Sequence, residues 1–384
     1  MGHHQGGHGG AAPVAEDAQE TLFDQTPVDF EPAEEPPVPV PHSAPPSHGR
    51  IHLDLSAEEV PEPETPAASE LCPACDSPAS RTLFQATDRL YHTTDRVFHV
   101  VECAACKLIR LSPWPDVREL GQFYPPEYWF VPEQDATSRL EEFYRRAVLR
   151  DHIRFVLKAI ENSGLEQGLV LDCGCGGGLF LKMLAERGYP VAGLDFSLAA
   201  ATVAWRQNGV PVVCGKLNAA PFAPGSCAAV TMFHVLEHLY DPASYLDAAH
   251  RLLAPEGRLV IQVPNAASWQ FLLLGENWRG IDVPRHLFDF RAADIEILLD
   301  RCGFEIVRLK HFSLRDSPAS LATSLAPGLD PMVRRVRAVD ETPRTKLLKD
   351  LLYLGLVAAS LPFTLLEAAC GAGAMLMVEA RKKR

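Results

Sequence analysis

The segment from Leu169 to Leu181 constrains this chain more than any other. An apolar run, Leu169 to Leu171, ends at Asp172, glycines follow at 174, 176, 177 and 178, and a helix-like pattern then begins. That order reads as strand, tight turn and helix. Glycines there permit backbone conformations and a close ligand approach that a side chain would block. A second apolar run, Val191 to Leu194, ends at Asp195 one strand–helix unit later. A carboxylate at that position can accept hydrogen bonds from ribose hydroxyls.

The alternation continues downstream. Strands are predicted at 169–173, 191–195, 211–214, 229–233, 258–263 and 304–312, and helices at 178–187, 197–207, 242–253 and 291–302. Gly188, Gly209 and Gly303 stand where three of these helices should stop. Strand–helix alternation of this kind predicts an α/β fold with a parallel sheet covered on both faces. An amphipathic helix over 139–160, with Phe143, Val148, Ile153, Val156 and Leu157 on its apolar positions, leads into it.

The acidic-x-Gly-x-Gly-x-Gly run of Asp172, Gly174, Gly176 and Gly178, followed by Asp195, resembles the class I S-adenosylmethionine (SAM) dependent methyltransferases. A nicotinamide-dinucleotide reading expects Gly-x-Gly-x-x-Gly and fits only if Asp172 is ignored. The resemblance implies a Rossmann-like, seven-stranded, mostly parallel sheet. Its last strand should be antiparallel, with 374–381 as the candidate beside 304–312. It also implies roles. Asp172 should orient the turn or meet the methionyl amino group, Gly174, Cys175, Gly176 and Gly178 should line the cofactor, and Asp195 should take the ribose with Phe196 against the adenine. Lys216 and Leu217 follow the third strand, where the family often has an acidic side chain. Phe233 and His234 begin a His-Val-Leu-Glu-His run common in a subgroup that includes ubiquinone-biosynthesis-like enzymes, and they should face the methionyl part. Ala228 replaces a structural Asp of the family.

A hydroxyl or carbon acid that accepts a methyl group needs a base. His286, in the Pro-x-His-Leu-x-x-Phe pattern of 284–290 that recurs in the resembling enzymes, is the first catalytic candidate, and His234 is the second. Capping or orienting the helix at 291 is the competing role for His286. Arg285 could hold an anionic acceptor. Arg315 and Asp316 lie in a segment, 312–318, that resembles a pocket-lining loop and are candidate acceptor contacts.

Cys72, Cys75, Cys103 and Cys106 form two C-x-x-C pairs, the spacing of a tetrahedral zinc site. Four cysteine ligands leave no open coordination position, so the expected zinc is structural. Redox catalysis by a C-x-x-C pair would need a βαβ context that this segment lacks. A zinc knuckle followed by the aromatic, proline-marked stretch of Phe123, Tyr124, Tyr128 and Trp129 resembles the amino-terminal region of sugar C-methyltransferases. The aromatic cluster should either cover an acceptor pocket or form a small docking core.

The domain reading is therefore a Pro/Ala/Glu-rich tail over 1–70, a zinc module over 71–131, a SAM-binding core over 132–312, a helical insertion over 313–373, and a last strand with a basic tail over 374–384. The tail carries few apolar residues in any periodic arrangement, which predicts disorder. Within the insertion, 347–369 is strongly apolar, and its uncharged stretch from 351 to 366 follows six basic residues between 334 and 349. A buried cap helix is the first reading, and peripheral contact with a membrane surface is the second.

Composition narrows the partners. The net charge of −13 over 384 residues argues against nucleic acid. Ten cysteines without an apolar amino-terminal signal point to a reducing, cytoplasmic setting, with membrane association as the variant. The expected function is SAM-dependent methyl transfer to a small-molecule acceptor, with a sugar, glycolipid or secondary metabolite favoured. A lipid-linked acceptor at a membrane and a non-catalytic SAM-binding scaffold are the alternatives. Nothing in the residues speaks to oligomeric state.

Overall fold

The computed structural model describes residues 71–128, 136–165 and 167–384. The expected tail at 1–70 and Trp129 lie outside the described residues.

Three short strands open the described chain, β1 (Ser80–Ala86), β2 (Phe98–Cys103) and β3 (Ile109–Ser112), followed by the single turn α1 (Leu120–Phe123). The long helix α2 (Ala136–Ser163) then leads into the main sheet. It is longer than the predicted 139–160 and lays Ile153, Val156, Ala159 and Ile160 into the core.

The main domain runs β4 (Leu169–Cys173), α3 (Leu179–Ala185), β5 (Val191–Asp195), α4 (Leu198–Asn208), β6 (Val212–Cys214), β7 (Cys227–Phe233), α5 (Pro242–Leu252), β8 (Leu253–Pro264), α6 (Trp269–Leu274), β9 (Phe288–Asp289), α7 (Ala292–Arg301) and β10 (Phe304–Lys310). The insertion follows as α8 (Ser317–Leu325), α9 (Pro331–Val336) and α10 (Pro343–Ala369), and β11 (Met375–Lys382) closes the chain.

Seven strands share one sheet in the order β10-β11-β8-β7-β4-β5-β6. The pairings β4/β5, β5/β6, β4/β7 and β7/β8 are parallel. β11 enters antiparallel between β8 and β10. The strand order reverses at β4, where one crossover runs to β5 and the next neighbour is β7. Open α/β sheets bind ligands outside the carboxyl ends of their strands at such a reversal. Strands buried on both faces read as continuous apolar runs, which is why β4, β5, β7 and β8 are recognisable in the sequence.

The amino-terminal strands form a separate four-stranded sheet, β1-β2-β3-β9, completed by two residues of the main domain. Ile109 and Arg110 pair with Asp289 and Phe288, and Leu111 N–H donates to the Leu287 carbonyl. The module is thus stitched to the segment that follows Arg285 and His286. One apolar core runs from Phe98, Val100 and Leu111 through Phe288 and Phe290 to Ile261 and Leu376.

The insertion corrects one expectation. The apolar helix expected as a buried cap is exposed along its leucines: Leu347, Leu348, Leu351, Leu352 and Leu354 are each at least half exposed, as are Leu365 and Leu366.

Candidate active site

The turn after β4 is shaped by three glycines at positive φ, Gly174 (74°), Gly176 (52°) and Gly178 (76°). A Cβ on Gly174 would meet Val235 at 2.7 Å and one on Gly178 would meet Ala204 at 3.0 Å, whereas Gly176 faces open space. The first and third glycines therefore serve turn geometry and helix packing, and the second leaves room for a ligand against the main chain. Asp195, at the end of β5, accepts from Gly176 N–H and Ser197 N–H, both at 2.9 Å. Asp172, at the end of β4, accepts from the Thr231 hydroxyl. Burial, with the Asp195 charge close by, raises the Asp172 carboxyl to about 7 despite that hydrogen bond. Burial likewise raises Asp195. Two buried carboxyls, both raised above their ordinary values, beside an open glycine turn form a site that a cationic ligand would complete.

The other sequence candidates near the turn differ in exposure. Cys175 is turned into the core, its backbone N–H bonded to Leu194 and its carbonyl to Gly178 N–H; burial pushes its thiol well up. Leu217 is fully buried, and Lys216 before it is exposed. Phe196 is exposed on the ridge beyond Asp195, with the Tyr124 ring 5.9 Å away.

Phe233 and His234 end β7. Phe233 packs edge-on against Phe180 and against His152 from α2. His234 adopts a left-handed backbone, φ 57°, which is strained for a residue with a Cβ. Its Nδ1 lies 3.0 Å from Glu237 Oε1, and its Nε2 lies 2.8 Å from Gln262 Nε2 and 3.7 Å from Asp316 Oδ2. Burial alone would lower this imidazole, but Asp316 and Glu237 overcome that and raise it to about 9. The two carboxylates therefore favour the protonated ring, which weakens His234 as a base, whereas the Gln262 amide nitrogen beside Nε2 is a donor and suits a neutral ring with its lone pair there. Asp316 joins this group, accepting from Gln262 and Ser313, both at 2.7 Å. Arg315 lies 3.5 Å from Asp316 through Nε and is half exposed.

Arg285 is also corrected. Its guanidinium is fully buried and donates to Asp88, Asp282 and the carbonyls of Phe123 and Val283. It also stacks over the Tyr91 ring at 4.5 Å. It fastens the amino-terminal module to the main domain and has no donor left for an acceptor.

His286 lies deeper. Its Nδ1 is 2.7 Å from the Gly280 carbonyl; a carbonyl only accepts, so Nδ1 carries the proton and Nε2 keeps its lone pair. Burial lowers the ring to about 4, leaving it neutral. His238 is arranged the same way, with Nδ1 3.0 Å from both the Arg285 carbonyl and the Tyr124 hydroxyl. The two rings meet edge to face at 4.6 Å. One ligand atom each from Glu237, His238 and His286 lies within 4.8 Å of the others, and Glu237 Oε2 is buried without a hydrogen-bond partner. Burial alone would raise Glu237, yet the His234 hydrogen bond and the neighbouring imidazoles hold it below its usual value. Two imidazole lone pairs beside a carboxylate can relay a proton or hold a divalent cation.

Sequence reasoning missed His152 and Gln262; Tyr124, expected within an aromatic cluster, lies against His238. His152 is fully buried in α2, its Nε2 3.6 Å from Asp316 Oδ2, and burial holds it neutral at about 4. On an amphipathic helix it read as an ordinary polar position, and only the packing against β7 brings it to the site.

In the amino-terminal module, Cys72 and Cys106 Sγ are 3.5 Å apart and Cys75 and Cys103 Sγ 3.6 Å apart, and all four lie within 4.8 Å of one another. A tetrahedral ion with metal–sulfur bonds of about 2.3 Å requires sulfur–sulfur edges of roughly 3.8 Å. The four thiols fit that geometry.

Part of the chain is similar to known proteins. Residues 140–309 match a methyltransferase domain family. A ubiquinone biosynthesis O-methyltransferase of Pseudomonas paraeruginosa is 36% identical over 139 residues, 34% of this chain and 60% of the relative. A probable S-adenosylmethionine-dependent methyltransferase of Mycolicibacterium smegmatis is 33% identical over 141 residues, 36% of this chain and 52% of the relative. The chain thus spans just over half the length of these curated relatives. Among solved structures, a SAM dependent methyltransferase from Archaeoglobus fulgidus is 18% identical with a TM-score of 0.42, covering 65% of this chain and 100% of that one.

Proposed function

We propose that this chain, which carries a class I SAM-dependent methyltransferase domain, moves the methyl group of SAM to a small-molecule acceptor by in-line displacement. The observation that carries this reading is the convergence of Asp172, Gly176 and Asp195 at the sheet's strand-order reversal, with the His286 cluster beyond the end of neighbouring β7. The sulfonium needs no activation, so alignment of donor and acceptor accounts for much of the acceleration.

Each residue then has a role. Asp195 takes the ribose hydroxyls, and Asp172 meets the methionyl amino group. Phe196 and Tyr124 border the adenine side, and Phe233 borders the methionyl side. His234, with Arg315 and Asp316 nearby, offers a polar wall to the acceptor. His286, neutral with a free Nε2, is the proton acceptor, with His238 and Glu237 beside it. Arg285 acts through His286 as a positioning residue. The Cys72, Cys75, Cys103 and Cys106 set holds structural zinc, which would fix the module that clamps the His286 segment.

A sugar, glycolipid or secondary metabolite remains the favoured acceptor. The support is the pairing of a cysteine knuckle with an aromatic segment over the site; the O-methyltransferase relatives support a hydroxyl acceptor. A lipid-linked acceptor is favoured within that group by the exposed α10. The test is incubation with methyl-labelled SAM and an extract of the source cells, followed by counting of the aqueous, lipid, polysaccharide and protein fractions, with Asp195→Ala as control. Label in one fraction, lost in the variant, supports the reading. SAM binding without label in any fraction speaks for the non-catalytic alternative.

A further inference from the structure

Helix α10 is amphipathic in the wrong sense for a helix on a soluble domain, which turns its apolar stripe inward. Its buried positions are Val357, Ser360, Thr364 and Glu367, three of them polar. Glu367 accepts from Gln270 of α6 at 2.7 Å, and the Tyr353 hydroxyl lies 2.9 Å from Thr323 of α8. The outward face carries Leu347, Leu348, Leu351, Leu352 and Leu354 in the first half and Leu365 and Leu366 in the second, each 50–59% exposed. Between them Gly355, Ala358, Ala359 and Pro362 are exposed as well. The 27 residues make a rod of about 40 Å.

The apolar face continues onto α6. Trp269 packs on Phe363 of α10 with ring centroids 6.2 Å apart. Leu273, one helical turn further, and Leu272 beside it are 71% and 72% exposed. The exposed charged side chains of α10 are Arg344 and Lys346, both before the leucines; Lys349 and Asp350 are half-buried, Glu367 is buried, and Asp350 and Glu367 bond inward to Arg334 and Gln270.

We infer that the outward face of α10, extended by Leu272 and Leu273 of α6, docks on the surface of an anionic lipid bilayer. The occupant follows from the chemistry. Protein interfaces are anchored by aromatic and arginine side chains in pockets, and this face is a broad aliphatic surface of leucine and alanine. On α10 itself the exposed charges are cations at one end, which match anionic headgroups, although Asp340 before the helix and Glu276 after α6 are exposed as well. The helix is apolar and long enough to cross a membrane, with 22% of its most apolar window buried, but its polar side is fastened to α6 and α8. It therefore lies along the surface with its leucines in the headgroup boundary.

Docking there would orient the active site. Gln270 of α6 bonds to Trp278, two residues before Gly280, whose carbonyl holds His286. α8 starts beside Asp316, which faces His234. The elements that carry the apolar face thus border the acceptor side of the site, so the acceptor class is one that resides in the bilayer. This last step rests on the methyltransferase reading; the docking itself does not.

The experiment is co-sedimentation of the full chain with sucrose-loaded vesicles of phosphatidylcholine, with and without phosphatidylglycerol, alongside a SAM titration of the same preparation. The chain should sediment with the anionic vesicles. Leu348→Glu with Leu352→Glu should weaken the partition at least about tenfold, and Arg344→Glu with Lys346→Glu should abolish the preference for phosphatidylglycerol. These side chains are exposed, and circular dichroism checks that the fold is retained. A chain that stays in solution with both vesicle types, or a leucine pair without effect, overturns the inference. So does a dimer in sedimentation equilibrium that the leucine variant splits while vesicle binding is unchanged. SAM binding without vesicle binding would sink the docking alone; vesicle binding without SAM binding would sink the methyltransferase reading alone.

Discussion

Asp88 and Arg285 are 197 residues apart in the chain and form a fully buried ion pair, Oδ1 to Nη2 2.7 Å, with neither side chain exposed. The pair ties the cysteine module to the segment that carries His286. Asp282 shares the same guanidinium at 2.7 Å, and both aspartates are needed to satisfy its donors. Burial alone would lower the Arg285 guanidinium, but the two carboxylates hold it well above its usual value.

Asp88→Ala would leave the buried guanidinium half paired. Removal of one member of a buried ion pair costs about 3–5 kcal/mol; with Asp282 still in place the loss should fall near the lower figure. Urea denaturation followed by tryptophan fluorescence measures it, and a loss below about 1 kcal/mol, the scale of an exposed pair, would contradict the clamp.

Asp195→Ala removes the carboxylate assigned to the ribose. SAM affinity should fall roughly 10–100-fold, the scale of charge-assisted hydrogen bonds of about 1.5–3 kcal/mol. Calorimetric titration at constant salt measures this, and an unchanged affinity would remove Asp195 from the site.

Asp172 gives a pH dependence with a definite sign. Its folded value of about 7 lies above the ordinary 3.8, so the folded chain keeps a proton that the unfolded chain has lost. Its contribution to stability therefore declines as pH rises from about 4 to 7. Cationic SAM favours the ionised carboxylate, so affinity should rise as pH climbs through 7, with proton release on binding below it. Asp172→Asn should flatten that slope; a slope retained in the variant would assign it to another group.

His286→Gln should lower kcat by about 10²–10⁴-fold, the range for a lost general base, while SAM affinity stays within a factor of about two. Because the folded imidazole titrates near 4, activity should not fall through loss of this base between pH 8 and 5. A kcat loss matched by an equal loss of SAM binding would make His286 structural.

The cysteine cluster should hold one zinc per chain, released by a chelator or by mercurial titration and detected with a chromophoric dye. Structural zinc binds with folding free energy. Removal, or Cys103→Ser, should lower Tm and also reduce activity, because β3 pairs with β9 two residues beyond His286. Metal-free protein with unchanged Tm would refute a structural ion.

Much of this was legible in the chain. The runs ending at Asp172, Asp195 and Phe233 became strands because apolar residues buried on both faces leave a continuous signature, and Gly174, Gly176 and Gly178 marked a turn that needs positive φ. The four cysteines were legible from spacing alone. Local pattern sufficed for the α/β alternation, the glycine turn and each of the two C-x-x-C pairs, since each rests on geometry within a few residues. The tertiary structure alone decided the rest. Arg285 serves Asp88, His234 lies between Glu237 and Asp316, His152 reaches the site, and α10 shows its leucines outward. Each depends on partners tens to hundreds of residues away, and burial and charge at a side chain are set by those partners and by no pattern along the chain.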